Sequence, residues 1–236
     1  MIWRLLTSFS LVCALASAAA VTGHVSITES GHEGSKFADP AGTVVWLEPL
    51  ETVSTPGKLQ AGAFRMVQKN KTFTPHVLAI PAGSTVEFPN SDPIFHNAFS
   101  NYDGQIFDIG LYPPGSTRRV TFRREGVVRV FCNIHSSMSA VIVVLGSPYF
   151  SVLEDSGAFV IDNVPSGTYR VNAFSEHATE KSLTEQSRVI EVDGGTKDIG
   201  PMTMIGSAFL TTPHLNKYGK PYPPESNSSI YPGARQ

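Results

Sequence analysis

The sequence predicts an all-β protein. The chain of 236 residues contains 20 Gly and 17 Pro, and few of its segments show the apolar spacing of a long helix. Short runs of β-branched and aromatic residues alternate instead with turn-forming residues, which is typical of strands and tight connections. The length allows one large domain or two small ones. The formal net charge of −2 indicates neither a strongly acidic nor a strongly basic partner.

Residues 1–20 have the character of a signal peptide for export. Arg4 supplies the positive start, residues 5–15 form the apolar centre, and Ala16-Ser17-Ala18 or Ala18-Ala19-Ala20 supplies a small-residue cleavage site. The apolar run is too short for a membrane span, and no other segment is long and apolar enough. The sequence therefore predicts a periplasmic protein that does not span the membrane. A nucleic-acid partner is not expected for an exported chain without a basic excess.

Removal of the signal peptide would leave Cys132 as the sole cysteine, because Cys13 lies within the signal. An exported protein with one cysteine cannot form an internal disulfide, and a lone thiol is a liability in an oxidising compartment. A buried and inert cysteine is the plain alternative. Neighbouring histidine and methionine residues favour a protected metal ligand.

Strands are expected along most of the remaining chain. Residues 21–61 contain two strand-like runs, separated and followed by turn-rich connectors. The segment 62–146 has the tightest β pattern, with the following predicted strands: 73–80, 85–88, 119–123 and 127–132. The last two are predicted to form a hairpin across residues 124–126.

The C-terminal third changes character. Residues 147–206 are predicted to contain a hairpin at 150–161 and further short strands at 168–171, 188–192 and 201–205. Residues 207–236 are rich in Pro, Ser, Asn and Tyr and show no periodicity, so a disordered tail is predicted there.

Three metal-binding side chains follow an apolar, strand-like run. Cys132, His135 and Met138 are spaced three residues apart, and a second apolar run follows at 140–144. This pattern predicts a strand, a tight loop and a strand, with Cys132 on the inner face by the period of two. Thiolate is a strong soft ligand, imidazole is intermediate and thioether is a weak axial ligand, a combination that suits copper. A fourth ligand must come from elsewhere, and His96 is the best candidate.

With these residues in place, the segment 62–146 resembles the cupredoxins, above all amicyanin and plastocyanin. The residues that carry the resemblance are Phe73-Thr74-Pro75, Gly83, Val86, Asn90, His96-Asn97 and the Cys-x-x-His-x-x-Met motif of residues 132–138. It implies a Greek-key β-sandwich with one type 1 copper ion bound by His96, Cys132, His135 and Met138. It also implies that Asn97 ties the two ligand loops together by hydrogen bonds. Phe95 departs from the family, which usually has Pro before this histidine.

A second resemblance concerns the segments on either side. Residues 155–171 resemble the second half of carboxypeptidase regulatory-like (transthyretin-like) β-sandwiches, and the strand pattern of residues 21–48 resembles their first half. We therefore hypothesise that the cupredoxin part is inserted into a second, small β-sandwich built from both ends of the chain. The whole arrangement resembles exported proteins often labelled methylamine utilisation proteins.

The cupredoxin resemblance implies a carrier of single electrons between redox partner proteins of unknown identity, not an enzyme. A module that stores or delivers copper, or a sandwich that binds a surface, is the alternative. A copper enzyme would need a second, open copper site. Zinc suits a thioether poorly, and a catalytic Cys–His pair would need a solvent-reachable thiolate.

Two further features have plain alternatives. His76 could contribute to the metal site, although a surface histidine is the simpler interpretation. Arg119, Arg123 and Arg129 would lie on the outer face of the predicted hairpin. They could form a docking strip for an acidic redox partner, because complementary charge accelerates encounter, or simply a solvated strand face.

Overall fold

The structure is a computed structural model that describes residues 19–29, 37–51, 59–101, 104–206 and 214–223. These residues form many strands and one short helix, so the predicted all-β fold is confirmed. Most of the predicted signal peptide, and parts of the predicted tail, lie outside the described residues. No helix in the described part of the chain has the length and apolar character needed to cross a membrane.

The elements follow one another along the chain with short connections. The first nine strands are β1 (Ala19–Glu29), β2 (Phe37–Ala38), β3 (Val44–Pro49), β4 (Ala63–Arg65), β5 (Val67–Lys69), β6 (Thr72–Thr74), β7 (Val77–Pro81), β8 (Thr85–Pro89) and β9 (Phe99–Ser100). The later elements are β10 (Phe107–Asp108), β11 (Thr117–Thr121), β12 (Gly126–Phe131), β13 (Ser139–Leu145), β14 (Phe150–Val152), β15 (Ala158–Val164), β16 (Gly167–Phe174), α1 (Glu180–Gln186), β17 (Arg188–Val192) and β18 (Thr196–Gly206).

One sandwich is built from the two ends of the chain. In its first sheet, β1 lies between β15 and β18 and also pairs with β2; in its second, the strand order is β14-β3-β16-β17. Apolar side chains from both sheets form its core, among them Val25, Leu47, Phe159, Tyr169 and Met202. In the described residues, β1 pairs with β2, β15 and β18, and β3 pairs with β14 and β16. Neither pairs with a strand between β3 and β14. This pairing is the one that the insertion hypothesis requires.

The intervening strands form a second sandwich, called here the middle unit. Its five-stranded sheet has the order β10-β9-β12-β13-β7, its three-stranded sheet has the order β11-β8-β4, and β5 and β6 form a hairpin beside them. Phe88, Tyr112, Phe122 and Ile142 are completely buried in the core between the sheets. The predicted ligands lie at one end of this core.

An apolar interface joins the two sandwiches. Val141 and Val143, on the outer face of β13, pack in one cluster with Val44 of β3 and Phe174 of β16. The alternate residues of β13 face the core of the middle unit instead. Because β13 is covered on both faces, it is a continuous apolar run rather than an alternating one.

The predicted hairpin at 119–132 is wrong. β11 pairs with β8 in the three-stranded sheet, whereas β12 pairs with β13 and β9 in the five-stranded sheet. The chain crosses between the sheets at Phe122, which is completely buried and hydrogen-bonds with Ser84 and Gly83. The predicted hairpin at 150–161 is wrong for the same reason, since β14 and β15 belong to different sheets.

Without this hairpin, the predicted docking strip of Arg119, Arg123 and Arg129 has no common strand face. Arg119 lies on the three-stranded sheet and pairs with Glu87 at 2.8 Å, whereas Arg129 lies on the five-stranded sheet, 3.6 Å from Glu176. These two arginines therefore do not share one strand face.

Described residues lie within both predicted terminal segments. β1 begins at Ala19, which is buried and pairs with Val164, so cleavage after Ala20 would remove two strand residues. Cleavage after Ala18 leaves β1 whole. In the predicted disordered tail, residues 214–223 are packed against the middle unit at its ligand end; this segment is called the strap below.

His76 links the two sandwiches through Glu176. Its Nε2 lies 2.5 Å from Oε2 of Glu176, in the segment after β16. The hydrogen bond to Glu176 raises the pKa of His76 although burial opposes the rise. A histidine with a raised pKa in the folded state stabilises the fold below the unfolded-state pKa, and this contribution disappears as the pH rises through the folded-state pKa.

His76→Gln is therefore expected to lower the melting temperature at pH 5.5 and to leave it unchanged at pH 9. The loss at pH 5.5 corresponds to about 1 kcal/mol or less, because the side chain of His76 is half exposed. Thermal unfolding at both pH values measures the effect, with His24→Gln, at an exposed position on β1, as the control. A loss of equal size at both pH values would contradict the assignment.

Candidate metal centre

A short loop between β12 and β13 carries three of the predicted ligands. Cys132 directly follows β12, and Met138 directly precedes β13. The loop is closed by two backbone hydrogen bonds, from the Cys132 N–H to the Met138 carbonyl and from the Met138 N–H to the His135 carbonyl, each 3.2 Å long. Paired strands on both sides therefore fix the positions of all three side chains. Residues 132–138 are called the second ligand loop.

His96 comes from a separate loop, residues 90–98, called the first ligand loop. Its backbone forms an isolated bridge with Tyr112: the His96 N–H donates to the Tyr112 carbonyl at 3.3 Å, and the Tyr112 N–H donates back at 3.0 Å. The imidazole is completely buried. The fold thus brings a residue that precedes Cys132 by 36 positions to the same end of the core.

The three nitrogen and sulfur ligand atoms converge. Cys132 Sγ lies 3.9 Å from His96 Nδ1 and 3.7 Å from His135 Nδ1, and one ligand atom from each residue lies within 4.8 Å of the others. Metal bonds of about 2.3 Å to sulfur and about 2.0–2.1 Å to nitrogen would give a sulfur–nitrogen separation of about 3.8 Å at an angle of about 120°. The two sulfur–nitrogen separations are therefore those that a trigonal metal site requires.

Met138 lies in the same apolar cluster as Cys132 and is completely buried. Its thioether is thus kept from solvent at the metal end of the core. Among the described residues, no second group of three or more His, Cys, Asp and Glu side chains converges in this way.

The surroundings of Cys132 favour a thiolate only when a cation is present. Burial raises the pKa of the Cys132 thiol, although backbone N–H groups of Ile134, His135 and Asn97 hydrogen-bond to the sulfur and oppose the rise. Three N–H donors around one sulfur are suited to negative charge. A bound metal ion would supply the positive charge that the apolar core lacks.

Asp92 orients His96 by a hydrogen bond to Nε2, the ring nitrogen that does not face Cys132. His96 Nε2 lies 2.8 Å from Asp92 Oδ2, and both side chains are buried. Since a carboxylate accepts, Nε2 carries the proton and Nδ1 presents its lone pair toward Cys132. Burial lowers the pKa of His96 more than Asp92 raises it, which keeps the ring in the neutral form that a metal needs.

The tight turn between β5 and β6 holds the Asp92 carboxylate in place. The backbone N–H groups of Asn70 and Lys71, in the turn between β5 and β6, donate to its two carboxylate oxygens at 2.6 and 2.9 Å. Both turn residues have a φ of 55°, as a two-residue hairpin turn of type I′ requires. Burial alone would raise the pKa of Asp92, but these N–H groups and His96 lower it. The β5–β6 hairpin therefore places a charged acceptor behind His96.

Asn97 links the two ligand loops, as the resemblance implies, only through its backbone N–H, which hydrogen-bonds to the sulfur of Cys132. Its side-chain Nδ2 donates to Asp108 Oδ1 at 2.7 Å and to the Gly110 carbonyl at 3.0 Å, and its buried Oδ1 has no hydrogen-bond partner. The side chain thus ties the first ligand loop to residues 108–110 and not to the second ligand loop. Buried Gln68 adds support by donating to the Asn97 carbonyl at 3.1 Å and accepting from the Tyr112 hydroxyl at 2.6 Å.

The strap lies along the second ligand loop. The His214 ring stacks on Phe131 with centroids 3.9 Å apart, and its Nε2 donates to the Ser136 carbonyl at 3.0 Å. The Tyr222 hydroxyl donates to the Cys132 carbonyl at 2.9 Å. The strap is therefore part of the surroundings of the candidate site, and the sequence analysis missed it.

His76 does not belong to the converging ligand group. It pairs with Glu176 at the junction of the two sandwiches, and its side chain is about half exposed. Its position matches the simpler interpretation, a surface histidine.

Comparison with known proteins gives partial similarities. No protein-family profile matches the chain. The "Methylamine utilization protein MauL" of Methylorubrum extorquens is 37% identical over 59 residues, which are 25% of this chain and 52% of that protein. The chain thus spans about half the length of the curated relative it matches.

Several solved structures are also similar. They include the Cu-containing nitrite reductase (NirK) of Thermus scotoductus, with 27% identity, 42% of this chain and 25% of that chain covered, and a TM-score of 0.34. The purple cupredoxin of Nitrosopumilus maritimus has 23% identity, coverage of 35% and 99%, and a TM-score of 0.33. Amicyanin of Paracoccus versutus has 19% identity, coverage of 43% and 97%, and a TM-score of 0.33.

The predicted resemblance to methylamine utilisation proteins is confirmed by the similarity to MauL. These comparisons do not address the second sandwich.

Proposed function

We propose that His96, Cys132, His135 and Met138 bind one type 1 copper ion, and that the protein carries single electrons between redox partner proteins in the periplasm. The observation that carries the proposal is the convergence of one thiol and two imidazole nitrogens, with sulfur–nitrogen separations of 3.7 and 3.9 Å, at buried positions beside the apolar cluster that contains Cys132 and Met138. Two His, one Cys and a distant Met are the ligand set of blue-copper electron-transfer centres.

Each residue has a distinct task. Cys132 would bind as thiolate and provide the strongest ligand, His96 and His135 would each contribute an imidazole nitrogen, and Met138 would contribute a weaker thioether ligand. Copper bound there would supply one-electron chemistry by alternating between Cu(I) and Cu(II). His135, with 5% of its surface exposed, is the only one of the four that reaches solvent, and its edge is the candidate contact for a redox partner.

The scaffold favours electron transfer over ligand exchange. Paired strands flank the second ligand loop, and Asp92 and Tyr112 fix the first through His96. Ligands held in this way keep nearly the same positions in both oxidation states, which reduces the reorganisation that accompanies transfer. Burial of the site also excludes water from an open coordination position, which a hydrolytic or oxidative enzyme would need. We therefore propose a carrier and not an enzyme.

The chemical alternatives fit the geometry less well. A nucleophilic Cys132 would need an exposed thiolate, but its side chain is completely buried and its pKa is raised by burial. Zinc would leave the buried thioether of Met138 without a purpose, because zinc prefers nitrogen, oxygen and thiolate ligands.

We also propose the organisation of the whole protein. A signal peptide that ends at residue 18 would direct export, and the middle unit, residues 62–146, would be a cupredoxin domain. The second sandwich would consist of residues 19–49 and 147–206, with β1 as its central strand.

Repeated redox cycling distinguishes a carrier from a copper store. The copper-loaded protein is expected to be reduced by ascorbate and reoxidised by ferricyanide over many cycles, with its copper content unchanged by metal analysis. A store or delivery protein would instead lose Cu(I) to a competing chelator within the first cycles. Rapid loss of copper from the reduced protein would overturn the carrier proposal and support delivery.

A further inference from the structure

We propose that the strap, through Lys217 and Tyr222, ties the two ligand loops together and thereby sets how firmly copper is retained. This inference rests on the proposed copper site. It assigns to the strap a connection in addition to the Asn97 N–H hydrogen bond to Cys132, because the Asn97 side chain is directed to Asp108 and Gly110.

Lys217 contacts both sides of the site. Its backbone N–H donates to Asn133 Oδ1 at 3.0 Å, beside the Cys132 ligand. Its ammonium donates to Asp108 Oδ2 at 2.7 Å, and the other oxygen of Asp108 accepts from Asn97 Nδ2, beside the His96 ligand. A continuous path of three hydrogen bonds therefore joins the residue after Cys132 to the residue after His96.

The ion pair in this path is partly shielded from water. The side chain of Lys217 is 18% exposed, and that of Asp108 is 41% exposed. Burial would raise the pKa of Asp108, but hydrogen bonds from Lys217, the Gly110 N–H and Asn97 outweigh it and lower the pKa. Asp108 is thus ionised at neutral pH, and hydrogen bonds between charged groups are stronger than neutral ones.

Tyr222 fixes the ligand peptide itself. Its hydroxyl donates to the Cys132 carbonyl at 2.9 Å, while the Cys132 N–H donates to the Met138 carbonyl. His214 packs beside it, with its Nδ1 3.2 Å from the Tyr222 hydroxyl and its ring stacked on Phe131. The backbone of Cys132 is therefore held at its N–H by the second ligand loop and at its carbonyl by the strap.

Release of the metal requires the two ligand loops to separate, because His96 belongs to one and the other three ligands belong to the second. The strap opposes this separation through Lys217 and limits movement of the second loop through Tyr222. Contacts to groups behind metal ligands commonly change metal affinity by roughly ten- to hundredfold. The strap contacts lie one residue further out, so we expect the lower end of this range.

The test uses the full-length protein loaded with Cu(II), and measures the rate at which copper passes to excess EDTA. Lys217→Met, which keeps the side-chain length but removes the charge, is expected to accelerate release roughly tenfold. Tyr222→Phe and Asp108→Asn are also expected to accelerate release. Lys217→Arg keeps the positive charge and is expected to release copper as slowly as the wild type. Lys220→Met, at an exposed position of the same strap, is the matched control and should release copper at the wild-type rate.

A second measurement separates retention from general destabilisation. The melting temperatures of the copper-free Lys217→Met and Lys220→Met proteins should be alike, because the strap lies outside both cores. If Lys217→Met, Asp108→Asn and Tyr222→Phe all release copper at the wild-type rate while keeping the wild-type visible spectrum, the role of the strap is overturned and the copper site stands. If the wild-type protein binds no copper at all, the proposed function fails and the role of the strap fails with it.

Discussion

Replacing Asp92 with alanine is expected to weaken copper binding by roughly ten- to hundredfold. Asp92 accepts the Nε2 proton of His96 at 2.8 Å, and this hydrogen bond leaves Nδ1 as the free nitrogen 3.9 Å from Cys132 Sγ. Without the carboxylate, the ring can take the other tautomer or rotate. Each of these states must be reversed before the metal binds, so the cost appears as lost affinity.

Competition between the protein and a Cu(II) chelator of known affinity measures this loss. Asp92→Asn keeps one acceptor oxygen and should lie between the wild type and Asp92→Ala. Asp162→Ala removes an exposed carboxylate from β15 and should bind copper like the wild type. Wild-type affinity in Asp92→Ala would show that the carboxylate does not position His96.

The ligand residues could be selected from the sequence because their signal is local. Cys132, His135 and Met138 occupy one short loop between two apolar runs, and three different metal-binding groups at such spacing rarely serve packing alone. His96 was the best candidate for the fourth ligand, and the family resemblance supported this choice, since nothing in the sequence alone fixes its distance from Cys132. The structure places Cys132 and the two histidines together and buries Met138 in the same cluster, and their role as ligands is a proposal that copper binding will test.

The sheet partners were harder to predict. The residues between β11 and β12, followed by Gly126 at the start of β12, are as suitable for a hairpin as for a crossing between sheets, because a short turn can make either connection. The burial of Phe122 decides the matter, and burial depends on strands that lie far away in sequence. A usable signal was nevertheless present in residues 140–145. Their unbroken apolar run is typical of a strand covered on both faces, which indicates the second sandwich packed against β13.

The strap was predicted to be disordered because its composition lacks apolar periodicity. It packs through hydrogen bonds and ring stacking onto an existing surface, and such contacts leave no periodic pattern. Asp92 is not among the candidate residues of the sequence analysis. A carboxylate four residues before a predicted histidine ligand is a signal that could have revealed its role, because metal-bound histidines usually donate their second N–H to an acceptor.

The largest effect is expected from Cys132→Ser. A hydroxyl is a much weaker and harder ligand than a thiolate, so the variant should lose the type 1 site while the surrounding strands keep their packing. Met138→Leu, a substitution of similar volume, would remove only the weak thioether ligand. It should therefore still bind Cu(II) through Cys132, His96 and His135. The contrast between the two variants separates the role of the thiolate from that of the apolar surroundings.

The visible absorption spectrum of the purified full-length protein, titrated with Cu(II), tests this interpretation most directly. The wild-type protein and Met138→Leu should each develop an intense thiolate-to-copper charge-transfer band that saturates at one copper ion per chain. Cys132→Ser should remain without the band, although its circular dichroism should show the wild-type β structure. A folded, copper-loaded wild-type protein that lacks the band, or a Cys132→Ser variant that retains it, would contradict a type 1 copper centre at this site.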